Sequence, residues 1–185
     1  TRPLVHKIKP VERYIRWMVR HDPAFAAATA LSFLAFAVRK ALATRTIFNV
    51  LGPLTNPAGA PNQVLGVFSK ALVRPMAKVL KKLGSKHVMV VHAKDGLDEI
   101  SINRKTWVAE LKNGHIREYK IRPGDFGMKR ASLDTIRADS VEDSLRIINE
   151  VLDNRPGPAR DIVCLNAGAA IYTAGVAVSL EQGVA

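Results

Sequence analysis

HVMVVHAKDGLDEIS, from His87 to Ser101, decides the fold. Its first seven residues, 87–93, are β-branched and apolar on both faces, which predicts a strand buried on both sides and central in a sheet. KDGLDE then predicts a tight turn at the carboxyl end of that strand. Upstream, ALVRPMAKVLKKL (71–83) has helical periodicity. Pro75 is tolerated only in a first turn, so the helix is predicted to start near Val73, and Gly84 is its predicted C-terminal cap. QVLGVF (63–68) predicts a short buried strand. Downstream, EISI (99–102), TWVAELK (106–112) and HIREYKI (115–121) predict shorter strands, and Asn113-Gly114 predicts a hairpin between the last two. PGDFGMKRAS reads as loop. Ser140, with Asp143 three positions on, predicts a helix start close to a capping box, running to about Leu152. NRPGPA breaks the chain, and Asp161–Ala174 predicts an apolar helix whose small residues permit close packing. This order predicts an α/β fold with a mostly parallel central sheet, flanking helices and an added hairpin.

Working outward toward the start, residues 1–10 read as an arm. Val11, Tyr14, Ile15 and Met18 predict an amphipathic helix over 11–22, and the Ala-rich 23–43 reads as helical in one or two pieces. RTIFNVLGPLTNPAGAP, from Arg45 to Pro61, is an apolar run that breaks into a stiff loop at Gly52, Pro53 and Pro57. That loop reads either as a rigid turn or as a preset cleft wall, with Asn49, Thr55 and Asn56 as polar contacts.

The apolar share of 48% over 185 residues is enough to bury a sizeable core and argues against wholesale disorder. No apolar run reaches the roughly 18–20 residues of a membrane span; Phe25–Val38 comes nearest. A secretory signal fits poorly, because that stretch follows a charged lead. Cys164 stands alone inside IVCLNAGAAIY and reads as a reduced, buried structural thiol of a cytoplasmic protein. The net charge of +12 favours anionic partners. Residues 1–45 hold nine Lys and Arg against Glu12 and Asp22. No nucleic-acid motif or stacking aromatic pattern accompanies them, so a solvated basic helix face is the simpler reading.

Asp95, Asp98 and Glu99 crowd the loop after the central strand, where α/β sheets collect ligands. Adjacent Asp98 and Glu99 suit a hard cation such as Mg²⁺, which takes oxygen ligands and bridges to phosphates. From spacing alone a solvated acidic turn is slightly the more common arrangement. His92, at the strand end, is either a general acid–base or, more commonly for a lone histidine, structural. Dinucleotide, Walker, HExxH and GxSxG patterns are absent from the sequence, and Cys164 has no basic neighbour to activate it.

RTIFNVLGPLTNPAGAPNQVLGVF, VVHAKDGLDEIS and LNAGAAIYTAG, in this order and spacing, resemble the anthranilate phosphoribosyltransferase family over about Val38–Ala185, with RPGDFG and VLDNRPGPA fitting as well. The resemblance implies a large α/β domain portion over 38–185, part of a small helical domain, and an unplaced helical segment at 1–37. It implies transfer of phosphoribose from phosphoribosyl pyrophosphate to anthranilate in tryptophan biosynthesis, by a homodimer. It assigns Mg²⁺ to Asp98 and Glu99, the anthranilate carboxylate to Arg39, and the anthranilate channel to Gly52 and Pro53. It assigns no catalytic acid or base. The family's GTGGD phosphate cradle and KHGNR segment have no counterpart here, so the sequence as it stands is expected to show little or no transferase activity. Two alternatives are a non-catalytic relative that binds nucleic acid through its basic face, and a nucleoside phosphorylase of related fold. DGLDE argues against the first of these, and GPLTNP with DGLDE against the second.

Overall fold

The computed structural model describes Leu54 and residues 59–185. The chain divides into two compact units, Thr1–Gly59 and Ala60–Ala185, and the second is described by itself. The helices expected over 11–43 and the loop Gly52–Pro57, apart from Leu54, lie outside the described residues.

The second unit begins with β1 (Asn62–Gly66), α1 (Lys70–Lys82) and β2 (His87–Ala93). β3 (Thr106–Lys112) and β4 (His115–Ile121) form the hairpin. Two 3-10 turns, at Pro123–Phe126 and Leu133–Ile136, lead into α2 (Val141–Leu152), α3 (Pro158–Thr173) and a short α4 (Leu180–Val184). The sheet order is β1-β2-β3-β4, with β2 buried along its whole length. Only β1 and β2 run parallel; β2–β3 and β3–β4 are antiparallel. The α/β layering expected from the sequence is present, but among the described residues the sheet is mostly antiparallel. The physical reason is the link after β2. Instead of a crossover helix, residues 94–105 form a loop closed at its base by Lys94 N–H donating to the Lys105 carbonyl at 2.9 Å, and so return the chain beside β2.

α1 begins earlier than Val73. Ser69 caps it, its hydroxyl accepting from Ala71 N–H at 3.3 Å. Pro75 is therefore inside the helix, but it faces solvent, where water can reach the carbonyl left without an N–H donor. Val73, Met76, Ala77 and Leu80 recur at helical spacing and are buried against β2 and β3. Gly84 (φ +88°) ends the helix in a Schellman turn: Ser85 N–H donates to Leu80 C=O at 3.0 Å and Gly84 N–H to Lys81 C=O at 3.1 Å.

The opposite sheet face carries Met89, Val91, Val108 and Ile121, packed with Leu165, Ala169 and Tyr172 of α3 and Leu180 of α4. The small residues of α3 serve that packing. A Cβ on Gly168 would lie 2.6 Å from Val184, so α3 and α4 meet backbone to backbone only because glycine is there. Asn113 (φ +51°) and Gly114 (φ +76°) make the two-residue hairpin turn read from the sequence. At α2 the Ser140 hydroxyl accepts from Asp143 N–H, but the Asp143 carboxylate takes the Ser140 hydroxyl proton rather than its backbone N–H, so the box is half formed. Cys164 is half-buried rather than buried. No helix among the described residues is long and apolar enough to cross a membrane.

Candidate functional site

The loop 94–105 is built from the inside out. Ile100, Ser101 and Ile102 are buried, with Ile100 and Ile102 in the core beneath α3. Asp98 and Glu99, just before them, are exposed. Polar and apolar residues alternate in EISI, which is why it reads as a strand, yet it pairs with no strand and Ser101 is buried with its neighbours. Its backbone is satisfied by side chains instead. Ile100 N–H donates to Asn166 Oδ1 at 2.9 Å, and Asn166 Nδ2 donates to Ile100 C=O at 3.0 Å and to Ile162 C=O at 2.9 Å. The α3 amide thus imitates a neighbouring strand for one residue. Ser101 N–H donates to Thr106 Oγ1 at 3.1 Å, and the Ser101 hydroxyl accepts from Asn103 N–H and Arg104 N–H.

A second clamp is steric. A Cβ on Gly66, at the end of β1, would fall inside the Asp98 carbonyl, so only glycine lets the loop seat there. Gly66 and Asn166 therefore hold the acidic pair from either side, yet neither carries a chemical signature. The LNAGAA string containing Asn166 marked the resemblance without showing this role, and Gly66 read only as part of a strand.

The three loop acids divide by environment. Asp95 turns inward: Oδ2 accepts from the Ser101 hydroxyl at 2.5 Å, and Oδ1 is buried with no hydrogen-bond partner. Asp98 and Glu99 point to solvent, and neither carboxylate has a hydrogen bond or ion pair among the described residues. In a chain of net charge +12, two adjacent carboxylates at a strand's carboxyl end with no ion pair among the described residues are a local negative spot. No group of three or more His, Cys, Asp or Glu gathers to hold a metal among the described residues. The donor set fits a cation shared with the oxygens of a ligand, as Mg²⁺ commonly binds, and not an all-protein cage.

His92 is packed within the sheet. It is buried, its Nδ1 lies 2.8 Å from the Val67 carbonyl, and its ring lies parallel to Trp107. A carbonyl can only accept, so Nδ1 carries the proton. Of the residues expected in the site, Asp98 and Glu99 stand side by side on the loop, whereas Arg39, Gly52 and Pro53 lie outside the described residues.

The clamp makes a prediction. Asn166→Ala removes three hydrogen bonds and leaves both polar groups of Ile100 without their partner, costing about 2–3 kcal/mol. Hydrogen exchange should show faster exchange at residues 98–102 than in β2. Equal protection of this loop in wild type and variant would show that the amide clamp is not what holds it.

Comparison with known proteins gives the family and the fold. The family model described as "Glycosyl transferase family, a/b domain" matches residues 19–185. The anthranilate phosphoribosyltransferase of Laribacter hongkongensis is 59% identical over 156 residues, which cover 84% of this chain and 45% of that protein. The enzyme of the same name from Thioalkalivibrio sulfidiphilus is 62% identical over 146 residues, covering 79% and 43%. Among solved structures, the anthranilate phosphoribosyltransferase of Thermus thermophilus superposes with a TM-score of 0.69 at 38% identity, covering 90% of this chain and 45% of that one. The Saccharomyces cerevisiae enzyme in complex with PRPP and Mg gives a TM-score of 0.68 at 29% identity, covering 80% and 43%. The chain spans a little under half the length of the curated relatives it matches. None of these relatives is named for binding nucleic acid. With the family model covering all but its first eighteen residues, the chain belongs to the glycosyl transferase family, a/b domain.

Proposed function

We propose that this chain carries the metal-binding and acceptor-binding part of a phosphoribosyl transfer in tryptophan biosynthesis. Phosphoribose passes from phosphoribosyl pyrophosphate to the amine of anthranilate, giving N-(5-phosphoribosyl)anthranilate and pyrophosphate. The observation that carries the reading is the pair of unpaired, exposed carboxylates, Asp98 and Glu99, on a clamped loop at the end of the central strand. The names of the similar proteins supply the substrate class.

In this reading Asp98 and Glu99 would hold Mg²⁺. Bound there, the cation supplies charge neutralisation to the leaving pyrophosphate. The chain's own residues position. Asn166 and Gly66 fix where the two carboxylates stand, and buried Ile100 and Ile102 keep the loop from swinging away. No general base is assigned, because charge development at the leaving pyrophosphate calls for a cation before it calls for a base. The acceptor side is assigned by resemblance alone to Arg39, Gly52 and Pro53; a guanidinium fork suits the planar carboxylate of anthranilate. The division into a segment 1–37 and an α/β portion 38–185, the homodimer and a cytoplasmic location belong to the same proposal.

Anthranilate is itself fluorescent, so its anisotropy tests the acceptor side. Anisotropy should rise as the purified chain is added, and Arg39→Ala should weaken the binding by about tenfold or more, the loss of one charge-assisted pair. Equal binding by wild type and Arg39→Ala would contradict the assignment of Arg39.

A further inference from the structure

We propose that the hollow around Trp107, on the α1 face of the sheet, binds a nucleotide-type ligand: a phosphorylated molecule with a flat aromatic base. The hollow has a volume of about 500 Å³ and is lined by Lys70, Val73, Trp107, Glu118, Tyr119 and Lys120. Two ammonium groups lie over one indole, and a third lysine lines the hollow beside it. Lys70 Nζ lies 4.9 Å and Lys105 Nζ 5.5 Å from the Trp107 ring centre, and Lys120 stands opposite Trp107 in the β3–β4 register. The indole is backed by the His92 ring, 5.9 Å away and within 9° of parallel, and is half-buried, leaving part of its surface to solvent.

These charges are uncompensated. Neither Lys70, Lys94, Lys105 nor Lys120 has a carboxylate within ion-pair distance among the described residues. The one acid in the lining, Glu118, is already taken by Arg74. Loss of hydration and the repulsion of Lys120, Lys94, Arg122 and Lys70 hold the Lys105 ammonium below the usual lysine range. Cations over an indole face gain from the ring but repel one another, and a multiply charged phosphate relieves that repulsion while the ring receives a base. A purely solvated face would have no reason to gather its lysines around a half-exposed tryptophan. The hollow is also distinct from the acidic loop. Ile100 and Asn166 anchor that loop on the α3 side of the sheet, whereas Trp107 and His92 face the α1 side.

The probe is ADP, titrated calorimetrically into the purified chain in EDTA, with inorganic pyrophosphate as the comparison ligand. EDTA removes the divalent metal that the Asp98–Glu99 reading requires, so success or failure here is independent of that reading. ADP should bind about tenfold more tightly than pyrophosphate, a difference of about 1.4 kcal/mol and within the range of one base stacked on an aromatic ring. Trp107→Leu should remove that tenfold advantage, and Trp107→Phe should keep most of it. Lys105→Ala combined with Lys120→Ala should weaken both ligands and flatten the salt dependence. Trp107→Leu should leave Mg²⁺-dependent binding of phosphoribosyl pyrophosphate unchanged. Equal affinity for ADP and pyrophosphate would overturn the proposal, as would no ADP binding at millimolar concentration, or an unchanged ADP affinity in the lysine pair variant.

Discussion

Glu110→Ala should destabilise the α/β unit by about 3–5 kcal/mol, the cost of removing one partner from a buried charged network. Glu110 is only 3% exposed, in the middle of β3, yet its carboxylate collects donors from three elements. Tyr172 of α3 donates its hydroxyl at 2.7 Å, His87 Nε2 of β2 lies at 3.0 Å, and the Tyr119 hydroxyl of β4 lies at 3.0 Å. Arg117 stands 3.9 Å away, and Lys112 Nζ donates to the Tyr172 hydroxyl at 3.0 Å. Burial opposes ionisation of this carboxyl, but the hydrogen bonds from Tyr172, His87 and Tyr119 together outweigh it and hold the group below the ordinary carboxylate range. The same contacts, added to burial, push the Tyr119 and Tyr172 hydroxyls up. A folded carboxyl held below its unfolded value contributes stability that is complete above the unfolded value and is lost as pH falls through the folded one. The resistance of the wild type to thermal unfolding should therefore fall on acidification below about pH 4, near the unperturbed glutamate value. Glu110→Gln should lose part of that slope, as well as stability at neutral pH. A Glu110→Ala variant that melts with the wild type would show that the network holds nothing together.

How far the sequence could be read follows from what each residue type encodes. The bounds of β2 were legible because its seven residues are buried on both faces, and the hairpin because Asn-Gly is one of few pairs that tolerate two positive φ angles. The antiparallel β3–β4 pair followed from the hairpin, but the direction of β3 against β2 was misread: reading EISI as a strand of its own hid that 94–105, with no helical period, only returns the chain beside β2. EISI misleads for a specific reason. Ile100 and Ile102 are buried between exposed or polar neighbours, as in a strand, but the Asn166 side chain takes the ladder bonds of Ile100. Glu110 looked like an ordinary strand residue, because its partners come from residues 87, 119 and 172, far apart in the chain. In the candidate site the acids were legible as chemistry, while the parts that position them were not. Gly66 acts through the absence of a side chain and Asn166 through contacts made 66 residues from its own position.

The second large effect concerns the acids themselves. Asp98 and Glu99 have no partners to lose among the described residues, so Asp98→Asn and Glu99→Gln should leave the melting temperature close to wild type. Surface substitutions away from networks generally change stability by less than about 0.5 kcal/mol. What they remove is the negative charge that the proposed metal-bridged binding of a phosphate requires. The fold and the site can thus be separated experimentally, with Glu110 affecting the first and the acidic pair the second.

Calorimetric titration of phosphoribosyl pyrophosphate into the purified chain, with Mg²⁺ and then with EDTA, is the most direct measurement. Wild type should bind with Mg²⁺ and lose that binding in EDTA. The doubly substituted Asp98→Asn, Glu99→Gln chain should bind about a hundredfold more weakly with Mg²⁺ while remaining folded, the upper end of what losing a metal-supporting group costs. Binding of equal strength in wild type and the double variant, unchanged by EDTA, would contradict the metal-bridged role of this loop.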